Sequence, residues 1–263
     1  MKMKLILVSV AVAVAGATRP AAALNFFELE VYPATTEGQG LNEIESHSTF
    51  VANGRTPTEE ERTGEEPRRH HLFRTSLEYN YGLTDKIDVA AYVDTLWPSG
   101  DEPQYGGCRF RARGALFDKG RLPVDLGWYF EVEVPEPRFD NARLELEFRP
   151  IVSRDFGRFT VDIDPSFELP TVTKSEPRTF EFNYGAHVVY RLSYFLQPAI
   201  EFFGDVGHIR DTDPSHDQEH YVFPMLFGRL GHGVNFQVGP GFGITPASDK
   251  VILRARVEYE FSL

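Results

Sequence analysis

The chain has 263 residues and a formal net charge of −12, with 39 acidic residues against 27 basic ones. This acidic balance argues against a nucleic-acid partner, because domains that bind nucleic acid carry basic patches. Cys108 is the single cysteine, which excludes an internal disulfide, so other interactions must hold the fold together.

The first 23 residues have the layout of a secretory signal peptide. Two lysines precede an apolar run at 5–15, and a small-residue stretch ends at Ala23. The run is well short of the roughly 18–20 residues that a spanning helix needs, so a membrane anchor is the weaker interpretation. We expect residues 1–23 to be removed during export, with the cut after Ala23 or alternatively after Ala17.

Segments of alternating apolar and polar residues follow one another from Glu43 to Phe261. Side chains of a β-strand point alternately to its two faces, so each segment predicts a strand with one apolar and one polar face. Together with a first strand that begins near Glu43, they make about twelve strands. The segments are TSLEYNYG, KIDVAAYVDTLW, CRFRARGAL, PVDLGWYFEVEV, RLELEFR, RFTVDIDPSFEL, TFEFNYGAHVVYR, QPAIEFFGDV, HYVFPMLF, VNFQVGPGFGI and VILRARVEYEFSL.

The connections between these segments alternate in length. Short turns are predicted at YGLTDK, FDKGR, RDFGR and RLSY. Longer polar loops are predicted at NGRTPTEEERTGEEPRRH, PSGDEPQYGG, PEPRFDN, PTVTKSEP and HIRDTDPSHDQEH. Short turns on one side and long loops on the other are typical of an outer-membrane barrel, with the turns in the periplasm. RLGHG and TPASDK are both short, so the last two connections do not show which end of the barrel each one occupies.

Alternation alone also allows a secreted sandwich or a lipocalin-like barrel, which would bury the apolar face. The alternation lasts about 9–13 residues, which suits a tilted membrane crossing, whereas soluble strands average nearer 5–6. Aromatic residues concentrate toward the strand ends, as an interfacial girdle would. They are Tyr79, Tyr81, Trp97, Tyr221, Phe223, Tyr259 and Phe261. We therefore predict an all-β, antiparallel, up-and-down transmembrane β-barrel of the outer-membrane type at 43–263.

Residues 24–42 stand apart from this barrel. LNFFELEVYP would make a thirteenth strand, whereas bacterial single-chain barrels have even strand numbers. We therefore expect an N-terminal lead-in that lies in the periplasm or in the lumen.

A family resemblance is carried by YGLTDKIDVAAY, PVDLGWYFEVEV, LELEFRPIVSRDFGRF and GFGITPASDKVILRARVEYEF. These segments resemble an outer-membrane β-barrel family labelled for the meta-pathway of phenol degradation, from about residue 43 onward. The resemblance implies uptake of small aromatic compounds and supplies no catalytic residue. The terminal VEYEF also resembles the signal that the barrel-assembly machinery recognises, with Tyr259 and Phe261 as its aromatic residues. Here Ser262 and Leu263 follow the last aromatic residue, whereas in the family it usually ends the chain.

If the apolar faces meet lipid, the polar faces line the lumen. Its densest predicted feature is the row Arg109, Arg111 and Arg113 between acidic strands. The other lumen candidates are Asp88, Asp94, Asp125, Glu131, Glu133, Arg254 and Arg256, and alternation also places Arg143 and Arg191 inward. Two interpretations stay open: a pore that sorts solutes by charge, or a salt-bridged interior that closes a narrow barrel.

The loop HIRDTDPSHDQEH contains three candidate metal ligands, His208, His216 and His220. A metal site needs three or four converging ligands, and a solvated acidic loop is the alternative. We expect no cofactor, since GPGFGI is not followed by the helix that a nucleotide loop needs. We also expect no enzyme, because no serine has an evident histidine–acid partner.

The expected function is an outer-membrane barrel that passes or binds a small aromatic or hydrophobic molecule. The alternative is a closed structural or surface-interaction barrel without transport. The expected partners are outer-membrane lipid, the barrel-assembly machinery and a small-molecule substrate.

Overall fold

The computed structural model describes residues 29–58, 62, 68–139, 142–173 and 178–262, and the predicted signal peptide at 1–23 lies outside the described residues. Within these ranges, no helix is long and apolar enough to cross a membrane. The fold is built from β-strands. They are β1 (Leu41–Asn53), β2 (Phe73–Thr84), β3 (Ile87–Trp97), β4 (Gln104–Ala115), β5 (Asp125–Pro135), β6 (Ala142–Phe156), β7 (Phe159–Thr173), β8 (Glu181–Tyr190), β9 (Leu196–His208), the two-residue β10 (Asp211–Thr212), β11 (Glu219–Gly231), β12 (Val234–Gly243) and β13 (Val251–Ser262).

The strands close into a barrel. Each long strand pairs antiparallel with the next long strand along the chain, and β13 pairs with β1 along almost its whole length. The two-residue β10 pairs antiparallel with the end of β9. The next strand of the wall after β9 is therefore β11. The prediction of a closed, up-and-down barrel of about twelve strands is confirmed, and a two-sheet sandwich is excluded by the closure.

The two ends of the barrel differ in their connections. One end, called the turn end here, carries 85–86, 116–124, 157–158, 191–195 and 232–233. The other, called the loop end, carries 54–72, 98–103, 136–141, 174–180, 209–218 and 244–250. The five long loops predicted from the sequence therefore share the loop end, and β1 begins at the turn end.

The outer face of the wall is apolar and the inner face is charged. Leu77, Phe110 and Val93 are 57%, 56% and 52% exposed on the outer face. Arg109 and Asp94, on the inner face of the same region, are at most 1% exposed. A closed barrel that exposes its large hydrophobic side chains outward suits a lipid surrounding rather than water.

Two members of the predicted aromatic girdle point the other way. Tyr79 and Tyr259 are exposed on the outer face, as predicted, but Tyr221 and Phe223 are buried in the lumen at 1% and 0% exposure. The prediction was wrong for this pair because β11 is apolar on both faces, and its alternation therefore gives no contrast from which to read direction.

Two arginines placed inward by alternation also lie elsewhere. Arg143 is exposed, because the pairing register of β6 with β7 shifts between Ala142 and Glu145 and changes the direction of the side chain. Arg191 follows β8 at the turn end, where its Nη1 donates to Asp155. Neither belongs to the lumen wall.

Residues 29–40, called the N-terminal segment here, run from the lumen to the turn end, where Thr36 and Gln39 donate to Asp85. Leu29, Glu30, Val31, Tyr32 and Ala34 are all at most 5% exposed, although the segment is not part of the sheet. The lumenal location, one of the two expected for the lead-in, is therefore the one the structure has for these residues.

The N-terminal segment enters the lumen from the turn end. The N–H of Gly40 donates to the carbonyl of Gly82 on β2 at 2.8 Å, just before β1 begins. A Cβ at Gly82 would collide with the carbonyl oxygen of Gly38, so the close approach that turns the segment inward requires a glycine there.

Candidate functional site: the barrel lumen

The N-terminal segment is held by side chains of the wall instead of by a strand ladder. The N–H of Tyr32 donates to Asp164 at 2.5 Å, and the N–H of Ala34 donates to Ser153 Oγ at 2.7 Å. The carbonyls of Leu29 and Glu30 accept from Arg254 and Arg149, respectively. Buried backbone groups need such partners, and the lumen provides them from several strands.

Arg109, the first member of the predicted arginine row, is completely buried in β4. It binds Asp94 with two hydrogen bonds, Nε to Oδ2 at 3.1 Å and Nη2 to Oδ1 at 3.2 Å. Its Nη2 also donates to Ser76 Oγ at 2.9 Å, and its Nη1 lies 3.6 Å from Glu131. Glu133 is half-buried and faces Arg109 in the β4–β5 register. Arg109 is therefore committed to the wall.

Arg111 and Arg113 continue the row toward the turn end. Arg111 Nη2 donates to Glu78 Oε1 at 2.7 Å and lies 3.5 Å from Asp88 Oδ1. Arg113 Nη2 donates to Asp88 Oδ2 at 2.8 Å and lies 3.9 Å from Glu37 of the N-terminal segment. Burial raises the pKa of the Glu37 carboxyl above its usual value, and the Arg113 guanidinium acts in the opposite direction.

Asp125 lies apart from this network. It stands at the start of β5, and its Oδ1 accepts from the N–H of Gly120 at 2.6 Å in the connection 116–124. Glu78, which accepts from Arg111, belongs to the network instead. Glu78 is not among the predicted lumen candidates, although the alternation of TSLEYNYG places it on the polar face.

Three tyrosines connect the arginine row to the N-terminal segment. The guanidinium carbons of Arg111 and Arg113 each lie 5.0 Å from the ring centroid of Tyr32. The Tyr32 hydroxyl is 3.3 Å from that of Tyr92, and its ring centroid is 5.1 Å from that of Tyr129. Stacked cation–π contacts of this kind are worth about 2 kcal/mol when desolvated. The segment thus inserts an aromatic ring among the predicted lumen residues.

Arg254 and Arg256, on β13, contact the beginning of the N-terminal segment. Arg254 donates to the carbonyl of Leu29 and to Glu201, and Arg256 pairs with Glu30. A small cavity of about 10 Å³ lies beside them, lined by Leu29, His47, Thr49, Gln237, Arg254, Ala255 and Arg256. That volume holds about one water molecule.

The wall across β8 to β13 carries an apolar patch inside the lumen. We define the lumenal apolar patch as Val189, Ala199, Phe203, Tyr221, Phe223, Met225 and Ile252, which form one cluster with Leu29 and Val31 of the N-terminal segment. The lumen therefore has a charged wall and an apolar wall, and the segment contacts both.

The loop end is tied by a buried ion-pair network. Arg69, from the connection 54–72, lies 2.8 Å from Glu219 Oε1 and 3.5 Å from Asp249 Oδ2. The Tyr221 hydroxyl donates to Glu219 at 2.8 Å and accepts from the N–H of Asp249 at 2.9 Å. This network joins two loop-end connections to β11 above the lumenal apolar patch.

The three candidate metal-binding histidines have different partners. His208 Nδ1 is 2.9 Å from Thr179 Oγ1, and His220 Nδ1 is 3.0 Å from the Tyr184 hydroxyl. His216 is exposed beside Asp217. In the described part of the chain, two groups of three residues bring potential metal ligands together, Glu30 with Glu45 and His47, and Glu43 with Glu45 and Glu258. Neither group includes a histidine of the predicted loop site.

Comparison with known proteins identifies the fold. No family model and no curated protein matches the chain. An outer-membrane channel from Pseudomonas putida F1 is similar with a TM-score of 0.59 and 12% identity, over 89% of this chain and 100% of the channel. The NanC porin gives 0.57 and 8% identity over 84% and 100%. The KdgM porin, solved in complex with disordered oligogalacturonate, gives 0.50 and 12% identity over 84% and 99%.

The class defined by the closed wall and these similarities is the outer-membrane-type β-barrel. Identities of 8–12% establish this fold and not a function. The family labelled for the meta-pathway of phenol degradation stays a prediction, because no family model matches the chain.

Proposed function

We propose that the protein is an outer-membrane channel for a small molecule and that the N-terminal segment closes its lumen. The apolar outer face suits lipid, and the inner face offers charged and apolar surfaces to a solute. In the conformation described above, the segment lies between these surfaces, with Tyr32 and Ala34 buried against the wall and Pro33 and Thr35 exposed. In this proposal, passage requires the segment to move.

The observation that carries this proposal is that the N-terminal segment lies outside the sheet. Its partners are side chains such as Asp164, Ser153 and Arg254, and the strand ladder of the barrel is complete without it. The segment can leave the lumen without breaking any pairing between strands. A wall strand could not do so, because its removal would open the barrel.

The same proposal assigns the location and the partners. Outer-membrane lipid would contact the exposed apolar side chains of the outer face. Tyr259 and Phe261, whose rings stack at 5.6 Å on β13, are proposed as the aromatic residues that the barrel-assembly machinery recognises. Co-sedimentation with outer membranes after carbonate extraction tests the location, and recovery in the soluble periplasmic fraction would contradict it.

A closed structural barrel is the second candidate. Arg109 is bound to Asp94, and Arg69 is bound to Glu219 and Asp249, so buried ion pairs stiffen the middle and the loop end of the barrel. Such a barrel would present its loops to partners and pass no solute.

Single-channel recording in planar bilayers separates the two candidates. The full mature chain should conduct in brief openings, and Tyr32→Ala should open at least tenfold more often, because it loses its contacts with Arg111 and Arg113. Tyr194→Ala, which alters an exposed ring in the connection 191–195, should match the unmodified chain. Silence of all three proteins, each folded as judged by heat-modifiable migration, would establish the closed barrel.

A further inference from the structure

The lumenal apolar patch is unusual for an outer-membrane barrel. Interiors of such barrels are generally polar, because the alternation that turns apolar residues to lipid turns polar ones inward. Here Phe223 and Tyr221 on β11 and Phe203 on β9 are at most 4% exposed inside the lumen. The rings of Phe203 and Phe223 meet edge to face with centroids 5.6 Å apart.

Arg254 lies directly over this aromatic pair. Its guanidinium carbon is 5.5 Å from the ring centroid of Phe203 and 5.4 Å from that of Phe223. Its Nη1 donates to the carbonyl of Leu29, and its Nη2 donates to Glu201. The side chain is 5% exposed, and its Nε has no hydrogen-bond partner although it is buried. The guanidinium therefore has donor capacity that its present partners do not use.

Leu29 makes two contacts that a free small molecule could reproduce. Its branched side chain packs into the lumenal apolar patch, and its carbonyl oxygen accepts from Arg254. A carboxylate in the position of this carbonyl would form a charge-assisted hydrogen bond, which is shorter and about twice as strong as a neutral one. Glu201 shares the same guanidinium and would favour a ligand with one negative charge over a ligand with two.

We propose that Arg254 and the lumenal apolar patch form a binding site for a small molecule with an apolar body and a single carboxylate, and that Leu29 occupies this site when the lumen is closed. The proposal rests on the proposed channel function and specifies its substrate class. Binding of such a molecule competes with the N-terminal segment, so occupancy by the ligand and closure by Leu29 exclude each other.

The test uses 4-methylpentanoate, which has the carbon skeleton of leucine with a carboxylate in place of the peptide carbonyl. Its neutral analogue is 4-methylpentanamide. Saturation-transfer NMR on the refolded full chain in micelles gives the dissociation constant of each probe. We expect the carboxylate to bind at least tenfold more tightly than the amide.

Three variants of the full chain sharpen this test. Leu29→Ala should bind the carboxylate at least fivefold more tightly, because it empties the apolar part of the site and leaves the segment held there by its backbone carbonyl alone. Arg254→Gln should bind the carboxylate at least tenfold more weakly. Arg138→Gln is the matched control, since Arg138 lies exposed in the connection 136–141 and pairs with Glu136. If Arg254→Gln does not fold, Leu29→Ala and the comparison of carboxylate with amide decide the question.

Equal affinities for the carboxylate and the amide, or no gain in Leu29→Ala, would overturn the site. Conductance of the same preparations keeps the two proposals distinguishable. An open channel that does not bind the carboxylate would remove the site and leave the channel. A silent protein that binds it with the expected pattern would keep the site and remove the channel.

Discussion

Arg109 and Asp94 form a buried, two-fold hydrogen-bonded ion pair across β3 and β4, with distances of 3.1 and 3.2 Å. In the β3–β4 register, Arg109 pairs with Tyr92 and Asp94 pairs with Gly107, so the two side chains meet diagonally. A Cβ at Gly107 would lie 2.9 Å from the backbone of Pro135 and Val134, so the position opposite Asp94 on β4 has no room for a side chain.

Loss of one partner of this pair should destabilise the barrel strongly. We expect Asp94→Ala to lower the free energy of unfolding by about 3–5 kcal/mol, because it removes the carboxylate that holds the buried Arg109 with two hydrogen bonds and leaves Glu131 at 3.6 Å. Asp118→Ala removes an exposed pair with Lys86 and should leave that free energy nearly unchanged. Denaturant unfolding in lipid vesicles measures both. Equal effects of the two substitutions would mean that the buried pair contributes no more than a surface one.

The apolar outer face predicts a cost that depends on depth in the membrane. Phe110→Arg, in the middle of β4, should cost about 2–4 kcal/mol of unfolding free energy in a bilayer. Leu230→Arg, at the turn end of β11 and 69% exposed, should cost about 0–1 kcal/mol. The same vesicle unfolding assay compares them. If the two costs were the same, the middle of β4 would not lie in the hydrocarbon region.

A disulfide between the N-terminal segment and the wall should lock the channel shut. The N–H of Ala34 donates to Ser153 Oγ at 2.7 Å, so the backbone of the segment contacts the wall side chain here, and Ala34→Cys with Ser153→Cys is the pair for a cross-link. In a Cys108→Ser background, the oxidised protein should lose its openings in planar bilayers and recover them on reduction. Ser153→Cys alone in that background is the control. Openings that persist in the fully oxidised double variant would show that passage does not require the segment to move.

The network at the loop end predicts protection of the connection 54–72. Arg69→Gln removes the ion pairs that join this connection to Glu219 and Asp249, while Arg74 on β2 stays beside both carboxylates, so the connection should separate from the wall. Limited trypsin digestion of intact vesicles should then cut the connection at least tenfold faster. Arg138→Gln serves as control. An unchanged cleavage rate would mean that the network does not hold the connection against the barrel.

The sequence predicted the wall better than the contents of the lumen. Alternation predicted the strands and the inward direction of the Arg109 and Asp94 side chains, because a charged residue between apolar neighbours marks the polar face of its strand. It failed for Phe223, where Val222 and Pro224 on the outer face are as apolar as their inward neighbours. The composition of β11 thus removes the signal that works elsewhere.

Alternation could not predict the location of the N-terminal segment, for a different reason. LNFFELEVYP reads as a strand, yet the backbone of its described part bonds to side chains such as Asp164 and Ser153, which are more than 100 residues away. Even strand number argued against a thirteenth strand, but no local pattern records which distant carboxylate accepts from which N–H. The lumenal apolar patch could not be predicted for the same reason. Its residues come from four strands, and no single sequence segment shows that they meet.

The attachment of the N-terminal segment at Gly40 makes closure an intramolecular competition. Because the segment is covalently continuous with β1, its effective concentration at the lumen is on the order of millimolar, however dilute the protein is. A solute that binds in the same lumen must compete with the segment at this effective concentration. Closure therefore raises the apparent dissociation constant of the solute, so half-maximal opening requires a higher solute concentration than binding to an empty lumen would.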